Sequence, residues 1–324
     1  MKRKQLSALV LAGVLLLSGC SASGTKENGK YVLSSIDEKN ILADDVYNDL
    51  ATTTSGKTSL FSYVLDQLIK ENFPVTDDME ENADDIVESI ETNYQSQYGD
   101  EAEEQLLSQL AMGGYDDIEA YREDLISVLQ QAEFIKKYVK DNFDEVFDDY
   151  YTQATPRVLS LIKVSAEDVD NLTTEEQEKL DEVKKLLNTD KSFGDIASSY
   201  SDDSSSSANG NLGIVDTTTD LTSTYGDEVG EKALSLKQGE VSSAIKGSDG
   251  YYFLQCESTD KETIKKELET VDVDSPLLSY DEYIVYFAFQ SYDLKYNDET
   301  AKEAIQEVVD EALKAREEER KNNS

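Results

Sequence analysis

The stretch Ser192-Phe193-Gly194-Asp195-Ile196-Ala197-Ser198-Ser199-Tyr200-Ser201-Asp202-Asp203, a serine run, and then Ala208-Asn209-Gly210-Asn211-Leu212-Gly213 decides how this chain folds. Its first part reads as a short helix over 193–200, and Asn209-Gly210 as a turn opening a strand that ends near Val215. Upstream, Val158-Leu159-Ser160-Leu161-Ile162-Lys163-Val164 reads as a strand, and 174–188 as a helix with Leu180, Val183 and Leu187 on one side. Downstream, 229–236 reads as a helix and 251–256 as a closing strand. That order fits a small mixed sheet with helices packed against it.

Two further phrases complete the pattern: Ala233-Leu234-Ser235-Leu236-Lys237-Gln238-Gly239-Glu240-Val241 and Gly250-Tyr251-Tyr252-Phe253-Leu254. Together the phrases resemble a parvulin-type peptidyl-prolyl isomerase domain over about 100 residues. The resemblance implies where the working residues sit. The two histidines usual in the family fall on Ser160 and Tyr252, and the Asp or Cys of its loop falls on Asp203, with Asp202 as neighbour. The leucine of its Gly-Asp-Leu-Gly phrase is Leu212, with Asn211 in place of Asp. The Met and Phe that wall the proline pocket fall on Tyr225 and Val229, the latter giving a shallower pocket. Asp203, Ser160 and Tyr252 are therefore the expected catalytic group, with Ser160 and Tyr252 bonded across the sheet and orienting Asp203. Leu212, Tyr225 and Val229 are the expected substrate contacts. The chain has no histidine, so any isomerase chemistry here proceeds without one. That is physically admissible, because isomerisation breaks no bond and needs no nucleophile.

Helical periodicity dominates on both sides. The folded part opens at Ile36, with Ile41, Leu42, Val46, Tyr47 and Leu50 near helical spacing. Leu60, Phe61, Val64, Leu65, Leu68 and Ile69 repeat at three and four and stop near Phe73-Pro74. Thr76 is placed to cap the next helix, which carries Ile86, Val87, Ile90 and Tyr94. Gly113-Gly114 ends a further helix, and Asp116 or Asp117 caps a long one running past Val139. After the central region come a charged helix over 259–269, a buried aromatic segment over 280–292, and a last helix capped near Asn297-Asp298. Residues 315–324 read as a charged, fraying tail. The passage Met112-Gly113-Gly114-Tyr115-Asp116-Asp117-Ile118 resembles one in the helical body of PrsA- and SurA-type foldases. There, N- and C-terminal segments frame the parvulin domain and hold unfolded clients.

The N-terminus carries a second signature. Lys2, Arg3 and Lys4 precede the apolar run Leu6 to Leu17, too short for a typical spanning helix, and Leu17-Ser18-Gly19-Cys20 resembles a bacterial lipobox. The resemblance implies diacylglycerol on the Cys20 thiol after cleavage, and an extracytoplasmic protein anchored to the cell membrane by lipid. Cys256 then has no partner and is expected as a packed, reduced thiol.

The formal charge of -39 becomes -42 once Lys2, Arg3 and Lys4 leave with the signal. Such a field excludes nucleic acid as a partner. With no His and two Cys, the inventory excludes a His/Cys metal site, and the acidic runs lack the spacing and central glycine of an EF-hand. No cofactor is implied.

These observations point to an α+β chain: a helical chaperone body with an inserted parvulin-like (FKBP-like α/β) domain. Expected segments are a signal peptide at 1–19, a flexible tether at 20–30, a helical domain at 31–152, the parvulin-like domain at 153–258, and a helical return at 259–324. The expected function is folding assistance to unfolded or partly folded exported proteins, as an isomerase or, alternatively, as a non-enzymatic holdase whose parvulin domain only binds. A solute-binding lipoprotein is the weaker third reading, since the α/β lobes it needs are missing. Dimerisation of the chain is left open.

Overall fold

The computed structural model describes residues 25–37 and 39–323; the signal peptide and Cys20 lie outside the described residues. The described residues divide into two compact units, one from 25–138 with 282–323 and the other 139–281.

The first unit opens with a three-stranded antiparallel meander, β1 (Lys26–Glu27), β2 (Lys30–Ile36) and β3 (Lys39–Leu42). This corrects two expectations: residues 26–30 belong to a sheet rather than a tether, and helix begins only at Ala43, in α1 (Ala43–Leu50). The reason is turn chemistry. Asn28 and Gly29 both take positive φ, 51° and 84°, between the paired Glu27 and Lys30, the geometry that an Asn-Gly hairpin supplies with the correct twist. Four helices follow: α2 (Thr54–Asn72), α3 (Asp77–Tyr98), α4 (Ala102–Gly113) and α5 (Ile118–Asp141). Their ends are set by local polar groups. The Thr76 hydroxyl accepts from Met79 N–H at 3.3 Å, Gly114 closes α4 in the left-handed region at φ 89°, and Asp117 accepts from Ala120 N–H at 2.8 Å.

In the second unit, α6 (Phe143–Ala154) leads into β4 (Arg157–Ser165). Then come α7 (Thr174–Leu186), closed at its start by a Thr173–Glu176 capping box, α8 (Phe193–Tyr200) and β5 (Asn211–Val215). The short α9 (Leu221–Tyr225), α10 (Asp227–Ser235), β6 (Ile245–Lys246), β7 (Gly250–Ser258) and α11 (Lys261–Glu267) complete the unit. The sheet order is β5-β4-β7-β6, all pairs antiparallel. β4 and β7 are central and covered on both faces. Leu159, Leu161, Tyr252, Leu254 and Cys256 face a core closed by Leu221, Val229 and Ala233 from α9 and α10. Ile162, Val164 and Phe253 face one closed by Leu180, Val183, Phe193, Ile196 and Ala197 from α7 and α8. Each such side chain contributes about 1.5–3 kcal/mol by leaving water. Cys256 is a buried free thiol, and burial pushes its pKa up.

Packing sets the unit boundaries at 138/139 and 281/282, outside the 152/153 and 258/259 expected from sequence. Helix α6 explains the difference. Buried Tyr150 donates to buried Asp216 at 2.7 Å and meets the Tyr280 ring edge-on at 5.2 Å. Tyr280 donates to Asp149 at 2.8 Å, and Tyr151 to the Thr259 carbonyl at 2.6 Å.

The chain then returns to the first unit through α12 (Ile284–Gln290) and α13 (Glu299–Asn323), the latter opened by Asp298 accepting from Ala301 N–H at 2.8 Å. Phe61, Leu68 and Ile69 of α2, Phe134 of α5, Val285, Ala288 and Phe289 of α12, and Ile305 and Val309 of α13 form one core. The helical body is thus built from both ends of the chain, and the fold is α+β. Helix α13 runs through the tail expected to fray. Exposed i,i+4 pairs, Lys314–Glu318 and Lys321–Glu317, fall along that stretch.

Tyr150→Phe tests the reach of the second unit. It removes one donor from a buried carboxylate, so the unit is expected to lose about 1–3 kcal/mol in urea unfolding. An unchanged midpoint would mean that α6 is not part of it.

Candidate functional site

Strand alternation decides which expected residues meet. In the β4–β7 ladder Lys163 stands opposite Tyr252, whereas Ser160 stands opposite Gln255. Paired residues share a face, so Tyr252 lies on the side of Leu161 and Leu254, and Ser160 on the side of Ile162 and Phe253. The expected bond between Ser160 and Tyr252 is absent; they point to opposite faces of the sheet. Ser160, 1% exposed, instead donates to Glu257 Oε1.

The remaining expected residues converge on the Tyr252 face. Asp203 follows α8, 9% exposed, and its Oδ1 accepts from Ser205 N–H at 2.9 Å. Its neighbour Asp202 turns elsewhere: one carboxylate oxygen accepts from Ser165 N–H and the other from Lys179. Tyr225, the last residue of α9, is half-buried and meets the Tyr252 ring edge-on at 5.4 Å. Burial raises the Tyr225 phenol pKa, and the Asp203 carboxylate beside its hydroxyl raises it further. Leu212 of β5 is half-buried against the same core. Val229 has no exposed surface and packs within that core. This corrects its expected place in the wall of a pocket: α10 lies flat on the sheet and turns Val229 inward.

Two residues missed in the sequence complete the group. The Tyr252 hydroxyl donates to Asp249 Oδ1, and Asp249 Oδ2 pairs with Lys163 Nζ at 2.5 Å. Lys163 also lies 5.9 Å from the centre of the Tyr252 ring. Lys163 and then the Tyr252 hydroxyl hold the Asp249 carboxyl below its usual range, while burial and the Asp249 bond push the Tyr252 phenol well above its own. Period-two counting from Leu159 through Leu161 would have placed Lys163 on this face. The two buried faces of β4 make the run read as uniformly apolar and hide that count.

Glycine makes the close packing feasible. A Cβ on Gly247 would collide with Tyr252 ring carbons and with the Tyr225 carbonyl oxygen, which accepts from Ser248 N–H at 3.0 Å. Two clefts on this unit lie elsewhere. One is lined by Asp170, Leu172, Gln177 and Tyr251, the other by Thr218, Asp220, Leu221 and Leu234. Neither is lined by Asp203 or Leu212; the group itself is a buried Asp203 beside half-buried Tyr225 and Leu212.

Residues 161–258 match the Rotamase family, the PPIC-type PPIase domain. The "Foldase protein PrsA" of Staphylococcus aureus (strain Newman) is 26% identical over 311 residues, covering 93% of this chain and 91% of that protein. The chain is PrsA-like, and residues 161–258 are its parvulin-type domain. Among solved structures, PrsA from Bacillus subtilis is 22% identical, covers 86% of this chain and 98% of its own, and has a TM-score of 0.39. PrsA from Streptococcus pneumoniae is 17% identical, with coverage of 85% and 98% and a TM-score of 0.38. Of the two positions on which the family resemblance places histidines, Tyr252 is anchored to Asp249 and Ser160 lies on the opposite face of the sheet.

Both raised phenols favour the protonated form in the folded chain. Their contribution to stability is whole below the free tyrosine value of about 10 and is lost as pH rises through the folded values. Absorbance at 295 nm is therefore expected to show Tyr225 and Tyr252 ionising later than the exposed tyrosines, a lag that Tyr225→Phe and Tyr252→Phe each shorten. Gly247→Ala is expected to destabilise the domain by about 1–3 kcal/mol. A neutral effect in thermal melts would place the Tyr252 ring elsewhere.

Proposed function

We propose that this chain is an extracytoplasmic foldase, lipid-anchored through Cys20, that assists exported proteins after translocation. Its parvulin-type domain acts on X-Pro bonds without histidine. Support for folding assistance comes from the PPIC-type match together with likeness to a PrsA foldase along 93% of the chain. Among the described residues no helix is long and apolar enough to cross a membrane. The anchor reading rests on Leu17-Ser18-Gly19-Cys20.

The observation carrying the isomerase reading is the convergence of Asp203, Tyr225 and Leu212 on one sheet face. The reaction must overcome the partial double bond of the amide, about 18–20 kcal/mol. Leu212 supplies apolar surface for the proline ring. Tyr225 supplies a hydroxyl that stays protonated at neutral pH; its one O–H proton faces Asp203 in the free chain and turns from that carboxylate to donate to the carbonyl oxygen or nitrogen of the twisted amide. Asp203 holds that hydroxyl in place, and Tyr252, fixed by Asp249 and Lys163, supports the Tyr225 ring from behind. Holding of clients falls to the helical unit, where Ile86, Tyr98, Leu107, Met112 and Val128 remain exposed.

A specific observation favours the holdase alternative: Val229 and Tyr252 are fully buried, leaving little depth for a proline ring. Proline isomerisation of a peptide panel by the protein starting after Cys20 separates the two. Under the isomerase reading, Asp203→Ala and Tyr225→Phe each lower kcat/KM about tenfold or more, and Ser160→Ala does not. The rate is also flat between pH 6 and 8, because no histidine titrates there. No rate above background on any peptide, with aggregation of an unfolded client still suppressed, would assign the chain to the holdases.

A further inference from the structure

The meander β1–β3 exposes apolar side chains on one face. Tyr31 is 43% exposed, Leu33 57% and Ile36 64%, high values for residues that a soluble sheet would turn inward. Plain alternation would put Ile36 opposite to Tyr31 and Leu33, but the register shifts between Val32 and Ser34. Val32 pairs with Leu42 and Ser34 with the adjacent Ile41, so the bulge reverses the phase. Tyr31, Leu33, Ile36 and Ile41 then share one face.

The charges on this sheet are sorted by the same register. Lys26 pairs with Tyr31 and places its ammonium 4.3 Å from the ring centre; Lys39 pairs with Ile36. Both lysines are on the apolar face. Glu27, paired with Lys30, lies on the other, where it accepts from Asn40, and Lys30 reaches Asp44 at 3.2 Å. Residues 25–42 carry three lysines against three acids, in a chain whose formal charge is -39. The apolar, lysine-fringed face therefore belongs to a segment that is locally neutral and free of the net repulsion the chain as a whole has for an anionic surface.

We propose that this face lies on the bilayer that holds the lipid of Cys20, and so orients the helical unit on the extracytoplasmic side of the membrane. The proposal rests on the anchor reading above. Cys20 is five residues from Thr25, a span of at most about 17 Å when fully extended. The meander cannot stand far from the headgroups. Tyrosine rings, aliphatic side chains and lysines whose stems lie flat while their ammonium groups reach outward are the set that suits the water–lipid interface.

The chain has no tryptophan, so one introduced tryptophan reports alone. The full chain, exported and lipidated, is reconstituted in phosphatidylcholine vesicles as Leu33→Trp or as Val128→Trp, the latter an exposed site on α5. Leu33→Trp is expected to emit further to the blue and to be quenched by brominated phosphatidylcholine at least twofold more than Val128→Trp. The mass of the N-terminal peptide separates the two possible failures. Without diacylglycerol on Cys20 the anchor reading falls, and this proposal with it. With the lipid present and equal quenching at both positions, this proposal falls alone. An emission shift that follows protein concentration, or that appears only with an unfolded client, would give the face to a second copy or to clients instead of lipid.

Discussion

The antiparallel register between β4 and β7 is the constraint on which the second unit depends. Because both strands are central and covered on both sides, every residue along them is committed to one of two cores, and a slip of one would exchange the cores. Leu161 opposite Leu254 and Ile162 opposite Phe253 hold that register by burial alone. The same register sends Ser160 to one face and Tyr252 to the other. The composition of the site thus follows from packing, before any chemistry is considered. A polar residue at position 160 is tolerated because Glu257 takes its hydroxyl; it has no route to Asp203.

Charge is the second organising condition. A formal charge of -39 loads the folded state with self-repulsion. The chain offsets this locally, by placing cations where carboxylates are crowded. Lys261 and Lys265 of α11 pair with Asp148 and Asp144 of α6, each at 2.7 Å. These pairs are exposed and individually weak. Their value lies in position: they join α6 to α11 across the seam where Tyr151 reaches Thr259, so the packing that extends the unit beyond the matched residues is not opposed by like charge. Lys163 serves the same end at the site, where Asp249 and Asp203 would otherwise face each other across the two tyrosine rings.

Much of this was legible in the sequence, and the losses have identifiable causes. Helices α2 to α5, α7, α8 and α13 announced themselves by period and cap, and Thr76, Asp117 and Asp298 do cap. The elements β4, α8, β5, α10 and β7 fall where the parvulin phrases put them. The meander was missed although Glu27-Asn28-Gly29-Lys30 is a strong hairpin signal, because the small polar residues before it made the stretch read as linker and the spacing of Ile41 and Val46 drew the helix forward. Of the candidate site, Asp203, Tyr225 and Tyr252 were singled out through family phrases, and their sharing of one face emerges only from the structure. What failed was the inference that two positions occupied by histidines must still touch. Ser160 is too short to reach around the sheet, and the alternation of β4 was masked by burial on both sides. Val229 failed for a related reason: a one-dimensional match cannot tell the outer face of α10 from the inner.

A site without histidine, with Tyr252 and Tyr225 at its centre, differs in what it is able to do. Histidine near neutrality exchanges protons, so a site built on it can alternate between donor and acceptor at each ring nitrogen. Tyr252, with its phenol pushed well above its usual value and its O–H donating to Asp249, keeps its proton at physiological pH and does not alternate. It is a fixed dipole inside a packed core. Tyr225 is likewise locked as a donor by burial and by Asp203. For bond-breaking chemistry this would be disabling. For rotation about an amide it is not, since the transition state asks for oriented donors and apolar surface and for no proton transfer. Under the isomerase reading, such a site offers oriented dipoles, with the depth of its apolar part left to Leu212 and whatever a client's own side chains add. A site of that kind discriminates by the fit of the whole bound segment more than by the proline ring.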